Sequence, residues 1–206
     1  MKKLLILTAA ICICACSFSQ TGKNIEIGLD VGYNAATVST GNQTNSEYRS
    51  GFNAAFLMEY YFSDRWGIKG KLLYDQKGWN NGYLSFENNG ESFYTNYKLD
   101  YITVPVMANW HFGKKRNWYL NFGPYIGFLL NASESAGGTD LKPLFKKIDA
   151  GLAYGIGVKF PIAPNAKLFL ELDDQSGIAN IVNSTDGSSL HSNRGSFNIG
   201  VNFLLK

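Results

Sequence analysis

Asp173, Asp174, Asp186 and His191 are residue types that activate water, since an imidazole beside paired carboxylates can take a proton from it and be held in place by them. Their spacing matches no hydrolase pattern. His191 also stands in a stretch rich in Ser, Asn and Gly, where a solvated histidine is the ordinary outcome. A membrane-embedded hydrolase or acyltransferase is therefore a secondary reading, and no catalytic residue is assigned. The chain has two histidines, and its three cysteines, Cys12, Cys14 and Cys16, all fall near its start. No transition-metal cluster has its usual ligands, no glycine-rich stretch has a phosphate-loop pattern, and no cofactor is expected.

Two other sets of residues could do work. Glu26, Asp30, Glu59, Lys69, Lys71, Asp75, Lys77, Asp149, Lys159, Lys167, Glu171 and Asp173 all sit on the polar side of two-residue alternations. Charges confined together in a low-dielectric space must pair, because an isolated ion there costs several kcal/mol or more. They are read as a structural network that plugs an interior; a narrow conduit for solutes or ions is the alternative. Trp79, Tyr83, Phe86, Phe93, Tyr94 and Tyr97 are unusually aromatic for a connecting segment. They either form a binding surface, with Trp79, Tyr83, Phe93 and Tyr94 its candidates, or extend a hairpin above a membrane.

These side chains need a scaffold that alternates faces. Ile25, Ile27, Leu29, Val31 and Tyr33 alternate with Glu26, Gly28, Asp30, Gly32 and Asn34, as strand side chains do. The pattern predicts eight strands, over 24–38, 51–62, 66–77, 101–112, 118–130, 148–160, 167–174 and 196–205. Connections alternate between tight turns at 63–65, 113–117 and 161–166 and long segments at 39–50, 78–100, 131–147 and 175–195. An all-β, eight-stranded antiparallel up-and-down transmembrane β-barrel has this signature, with apolar side chains toward lipid and polar ones inward. Its interior is just wide enough for side chains, so an open channel is not expected. Short turns belong to the periplasmic side, which puts both termini there. Tyr60, Phe62, Trp66, Trp110, Phe112, Trp118, Phe160 and Phe203 gather near the tight turns, as an interfacial girdle does. His111, beside Phe112 and the basic turn Lys114-Lys115-Arg116, is expected to meet anionic headgroups at that rim. A two-sheet soluble sandwich is the competing fold, and the long-short alternation argues against it.

Residues 1–19 read as a secretory signal peptide, with Lys2 and Lys3, an apolar stretch from Leu4 to Cys16, and Ser17 and Ser19 before a cleavage point. Residues 20–206 are then the barrel domain. Ile13-Cys14-Ala15-Cys16 also fits lipoprotein processing, with a lipidated Cys16 at the new N-terminus, and the choice stays open. Loss of Lys2 and Lys3 lowers the formal charge from +3 to +1, and near-neutrality argues against a nucleic-acid partner, which normally demands a clustered basic face. No apolar run reaches the roughly 20 residues of a spanning helix.

Four segments in this order resemble the PorT-like outer-membrane β-barrel domain: Leu72–Gly78, Tyr101–Val106, Gly123–Gly127, and Asp149–Leu152 with Gly155–Val158. The resemblance spans essentially the whole mature chain. It departs in the seventh strand, where members carry an Arg-Tyr type pair before a Gly-Leu-x-Asn-Ile run and this chain has Asp173-Asp174-Gln175-Ser176-Gly177-Ile178-Ala179-Asn180-Ile181. It implies an outer-membrane address and no shared catalytic activity. One member is associated with type IX secretion and gliding, so an accessory role in such an apparatus is a further expectation. Outer-membrane lipid and the barrel-assembly machinery are the expected partners, with other envelope proteins as candidates.

Overall fold

A computed structural model of the chain describes residues 24–40, 46–85, 92–135, 138–183 and 189–205. Period-two alternation runs through eight antiparallel strands: β1 (Asn24–Thr40), β2 (Glu47–Tyr61), β3 (Trp66–Ser85), β4 (Ser92–Phe112), β5 (Trp118–Glu134), β6 (Ile148–Ala163), β7 (Ala166–Gly177) and β8 (Leu190–Leu205). Each pairs with its neighbours in sequence, and β8 returns to β1 over Ile25↔Leu205 through Thr40↔Leu190. The sheet is a closed barrel. Closure leaves no row of unpaired N–H and C=O groups, which is what hydrocarbon demands of a spanning sheet.

The two faces are inverted relative to a water-soluble fold. Leu29, Val31, Phe56, Leu72, Val106, Phe122 and Leu172 stand exposed on the outer wall, while Glu26, Glu59, Lys69, Lys71, Asp75, Lys77 and Glu171 are buried. A sandwich would bury the first group and wet the second, so the inversion sets that alternative aside. At the tight-turn end, Trp66, Trp110, Phe112 and Trp118 form a continuous ring of neighbours across β3, β4 and β5, with centroids 5.3–6.4 Å apart.

The strands outrun the sequence reading chiefly at the opposite end. The segment expected to loop over 78–100 is mostly a hairpin: β3 continues to Ser85 and β4 begins at Ser92, with the register shifting between Trp79 and Gly82. Gly78 enters that irregularity at φ +124, and a Cβ there would stand 2.0 Å from the Tyr97 carbonyl oxygen. Side-chain alternation misses such a bulge because two residues on one strand oppose one on the other. β2 likewise starts at Glu47, β5 runs on to Glu134, β7 ends at Gly177 and β8 begins at Leu190. Between β5 and β6 the chain makes a short 3-10 turn, Lys142–Leu144. The expected leader, residues 1–19, lies outside the described residues.

Candidate functional site

The lumen is filled by four charged layers below an apolar cap. At the tight-turn end, Lys159 donates to Glu26 Oε2 at 2.7 Å, to Glu59 Oε2 at 2.6 Å and to the Tyr61 hydroxyl at 2.7 Å. Lys167 donates to Glu26 Oε1 at 2.5 Å, and Asn109 donates to Glu59 Oε1 at 2.6 Å. His111 faces two acceptors, Glu59 Oε1 at 2.7 Å and the Arg116 carbonyl at 3.3 Å. The expectation that His111 meets headgroups at the rim is therefore corrected: its β4 position points it inward, where Glu59 holds it.

In the next layer, Glu171 takes Lys69 on one oxygen and Lys71 on the other, each at 2.5 Å, and Asn121 donates to it at 2.8 Å. Lys71 also lies 3.1 Å from Asp30 and 3.5 Å from Asp173. Tyr119 and Phe169 cross the lumen beside Lys69, whose ammonium lies 4.8 and 5.3 Å from their ring centroids. Room for Tyr119 comes from Gly157, where a Cβ would stand 2.3 Å from the phenol.

Arg194 holds the third layer together, with Nη1 2.8 Å from Asp173 and Nε 3.3 Å from Asp75. Asn34 donates to Asp75 at 2.9 Å, Asn198 to Asp173 at 2.8 Å, and Asn53 bridges Asn34 and Asn198. Above it, Lys77 reaches Asp149 at 2.9 Å over the Tyr125 ring, and the Tyr125 hydroxyl donates to the same carboxylate. Among the described residues below the cap, the carboxylates of Glu26, Asp30, Glu59, Asp75, Asp149, Glu171 and Asp173 face Lys69, Lys71, Lys77, Lys159, Lys167 and Arg194. Seven carboxylates thus face six lysine and arginine cations, so opposite charges are nearly matched along the lumen.

The far end is closed by side chains from three connections. Trp79 stacks on Tyr97 at 4.3 Å, Phe145 packs edge-on against both, and Leu99, Leu141 and Ile181 complete a buried cluster. Phe145 is drawn in by a β-bridge to Val182, and Lys146 N–H donates to the Ile181 carbonyl at 2.8 Å.

An inverted, closed, eight-stranded barrel with a charged filling is the architecture of outer-membrane proteins, and the profile of the outer membrane protein beta-barrel domain matches residues 18–183. The chain belongs to that family. Among solved structures, OprG from Pseudomonas aeruginosa is 12% identical with a TM-score of 0.53, covering 90% of this chain and 96% of OprG. AlkL, determined in DMPC lipid bilayers, is 10% identical with a TM-score of 0.51, covering 90% of this chain and 91% of AlkL. Ail of Yersinia pestis is 20% identical with a TM-score of 0.45, covering 86% and 98%. At such identities the likeness concerns the fold. No curated protein sequence matches the chain.

For this outer-membrane barrel, the residues first considered for chemistry are kept apart. Asp173 faces the lumen and is held by Arg194, Ser196 and Asn198. Asp174, the next residue on β7, belongs to the outer face, where Tyr154 and Gly195 flank it in register. His191 opens β8 with Nδ1 3.1 Å from the Ala179 carbonyl, and Asp186 lies outside the described residues. Of the aromatic candidates, Trp79 is buried in the cap and offers no free surface, a correction to its reading as a binding residue. Tyr83 and Tyr94 are exposed and pack edge-on at 5.7 Å. Phe93 stands in β4 opposite Leu84, and Phe86 lies outside the described residues.

Sequence reasoning missed Arg194 by placing it in a loop. The signal was present, since Ser192, Arg194, Ser196 and Asn198 continue the inward alternation of β8 back past the boundary at Ser196. Leu141, Phe145 and Ile181 carry no periodic signal.

Proposed function

We propose that this protein is a non-enzymatic integral outer-membrane barrel whose lumen is sealed and whose long hairpins present a binding surface, with both termini in the periplasm. The observation that carries the reading is the unbroken stack of paired charges from Lys167 to Lys77, closed above by the Trp79–Tyr97–Phe145 cluster. Passage of an ion would require several buried pairs to separate at once, each at a cost of several kcal/mol. The β3–β4 hairpin, with Tyr83 and Tyr94 exposed, is the part shaped to meet a partner. In this reading outer-membrane lipid solvates the wall, the barrel-assembly machinery inserts it, and other envelope proteins dock on the hairpins.

The PorT-like resemblance supplies a second reading, an accessory of a secretion or gliding apparatus. The residues behind that resemblance have structural work, however: Asp75 binds Asn34 and lies beside Arg194, Lys77 binds Asp149, and Tyr101 is buried in the cap. They support the barrel more than the secretion role. Reconstitution in planar bilayers tests the main reading. The wild-type protein is expected to give no unitary current steps, and discrete channels abolished by neutralising Lys69 and Lys71 would establish the conduit instead.

A further inference from the structure

The two mouths of the barrel differ. The long-hairpin end is closed by apolar side chains, whereas the tight-turn end holds a polar cavity of about 400 Å³. Its floor is the Glu26–Lys159–Glu59 layer, and its walls come from the β2–β3 and β4–β5 turns and from β6, β7 and β8. Lys115, Arg116, Lys159 and Lys167 line it against two carboxylates, Glu26 and Asp64. With Glu59 of the floor counted, the cations exceed the carboxylates by one, and Lys115 is the one left over.

Those cations are not equivalent. Lys159 is fully engaged by Glu26, Glu59 and Tyr61. Lys167 is anchored by Glu26 while 39% of its side chain stays exposed, so its ammonium has donors to spare. Arg116 adopts φ +55 and is fixed by its pair with Asp64 at 2.7 Å and by its carbonyl, which His111 engages. The Asp64 pair orients the guanidinium at the cavity wall while 44% of the Arg116 side chain stays exposed. Lys115, the next residue back, has no partner among the described residues. Phe62, Pro161 and Leu204 supply an apolar flank beside these donors.

We propose that this vestibule binds the carboxylate end of a peptide, with Lys115, Arg116 and Lys167 as donors to the anion and Phe62, Pro161 and Leu204 against the apolar terminal side chain. An Arg fork with flanking ammonium groups matches a carboxylate. The cavity volume falls within the range of small-ligand sites. A bare inorganic anion would make no use of the apolar flank, and that favours a peptide. The chemistry of the site is independent of the sealed-lumen reading; only the ligand's periplasmic location rests on the orientation proposed above.

The test is an NMR titration of the full-length mature barrel in DMPC nanodiscs with acetyl-Ala-Phe as the free acid, the same dipeptide as its amide, and sodium phosphate. The free acid is expected to shift the backbone amides of Ser63, Asp64, Arg116 and Asn117 saturably, with the amide inactive. Lys115→Gln is expected to weaken binding about tenfold, the loss of one charge-assisted hydrogen bond, with the strand resonances unmoved. Lys114→Gln changes a neighbouring lysine that does not line the cavity and is expected to leave binding intact. Equal responses to acid and amide, a response to phosphate alone, or equal losses from the two lysine variants would each overturn the proposal. Channel formation in planar bilayers would overturn the sealed lumen and leave this site standing.

Discussion

Glu59 and Lys69 lie directly opposite each other in the β2–β3 register, yet their ionic partners come from the far wall: Glu59 pairs with Lys159 of β6 and Lys69 with Glu171 of β7. Side chains on the inside of a narrow barrel converge toward its axis, so long charged residues meet those from other strands more readily than their lateral neighbours. The filling thereby ties β2 to β6 and β3 to β7 across the lumen, a set of links that backbone pairing between adjacent strands does not supply.

A double-mutant cycle exposes this arrangement. With unfolding followed by urea in lipid vesicles, the Glu59→Gln and Lys159→Met pair is expected to couple by about 2 kcal/mol, within the range for contacting residues. The register neighbours Glu59→Gln and Lys69→Met are expected to couple by less than half of that. The reverse order would show that register neighbours, and not the far-wall partners, hold the charges.

Loss of one cation should cost more than loss of a whole cluster. Lys159 is the hub for both Glu26 and Glu59, so Lys159→Met leaves Glu59 with no lysine partner and Glu26 with Lys167 alone, and is expected to destabilise the barrel by about 3 kcal/mol. Adding Glu26→Gln and Glu59→Gln to it is expected to recover part of that loss. A triple variant less stable than the single one would refute the view that stranded charge dominates the penalty.

The wall and most of the filling could be read from the sequence because both depend on local alternation. The positions of Glu26, Asp30, Glu59, Lys69, Lys71, Asp75 and Glu171 follow from strand parity, and the structure buries all seven. Who pairs with whom could not be read, since it depends on how eight strands converge. Glu59 lies opposite Lys69 in register, and still each pairs with a residue of the far wall. The cap was illegible for another reason: Leu141, Phe145 and Ile181 come from connections without period, and only closure of the barrel brings them over Trp79 and Tyr97. Arg194 failed through a boundary alone, set six residues after the strand's start at Leu190 although the periodicity was there.

Gly157 makes space for the ring of Tyr119. Gly157→Ala is expected to destabilise the barrel by about 1–3 kcal/mol through overpacking, since the ring is confined between Lys69, His111 and the β6 backbone. Combining it with Tyr119→Ala is expected to show a compensating interaction energy in the same urea assay. Additive losses would mean that the β6 backbone itself, and not the ring, rejects the methyl group.

The four tryptophans report on the inversion of the fold in a single measurement. Trp66 and Trp118 stand 45% and 48% exposed on the outer wall, and Trp110 lies between them in the girdle. Trp79 is stacked on Tyr97 inside the cap. In variants that retain one tryptophan, with the other three replaced by phenylalanine, brominated lipid should quench Trp66, Trp110 and Trp118, because each indole touches the bilayer interface. Trp79 should escape brominated lipid, and water-soluble acrylamide should reach it poorly as well, because protein surrounds the ring on all sides. Quenching of Trp79 by lipid would place the β3–β4 hairpin on the membrane and remove the cap from the lumen. Equal quenching of all four by acrylamide in the absence of lipid quenching would mean that the apolar wall is not in contact with the bilayer at all.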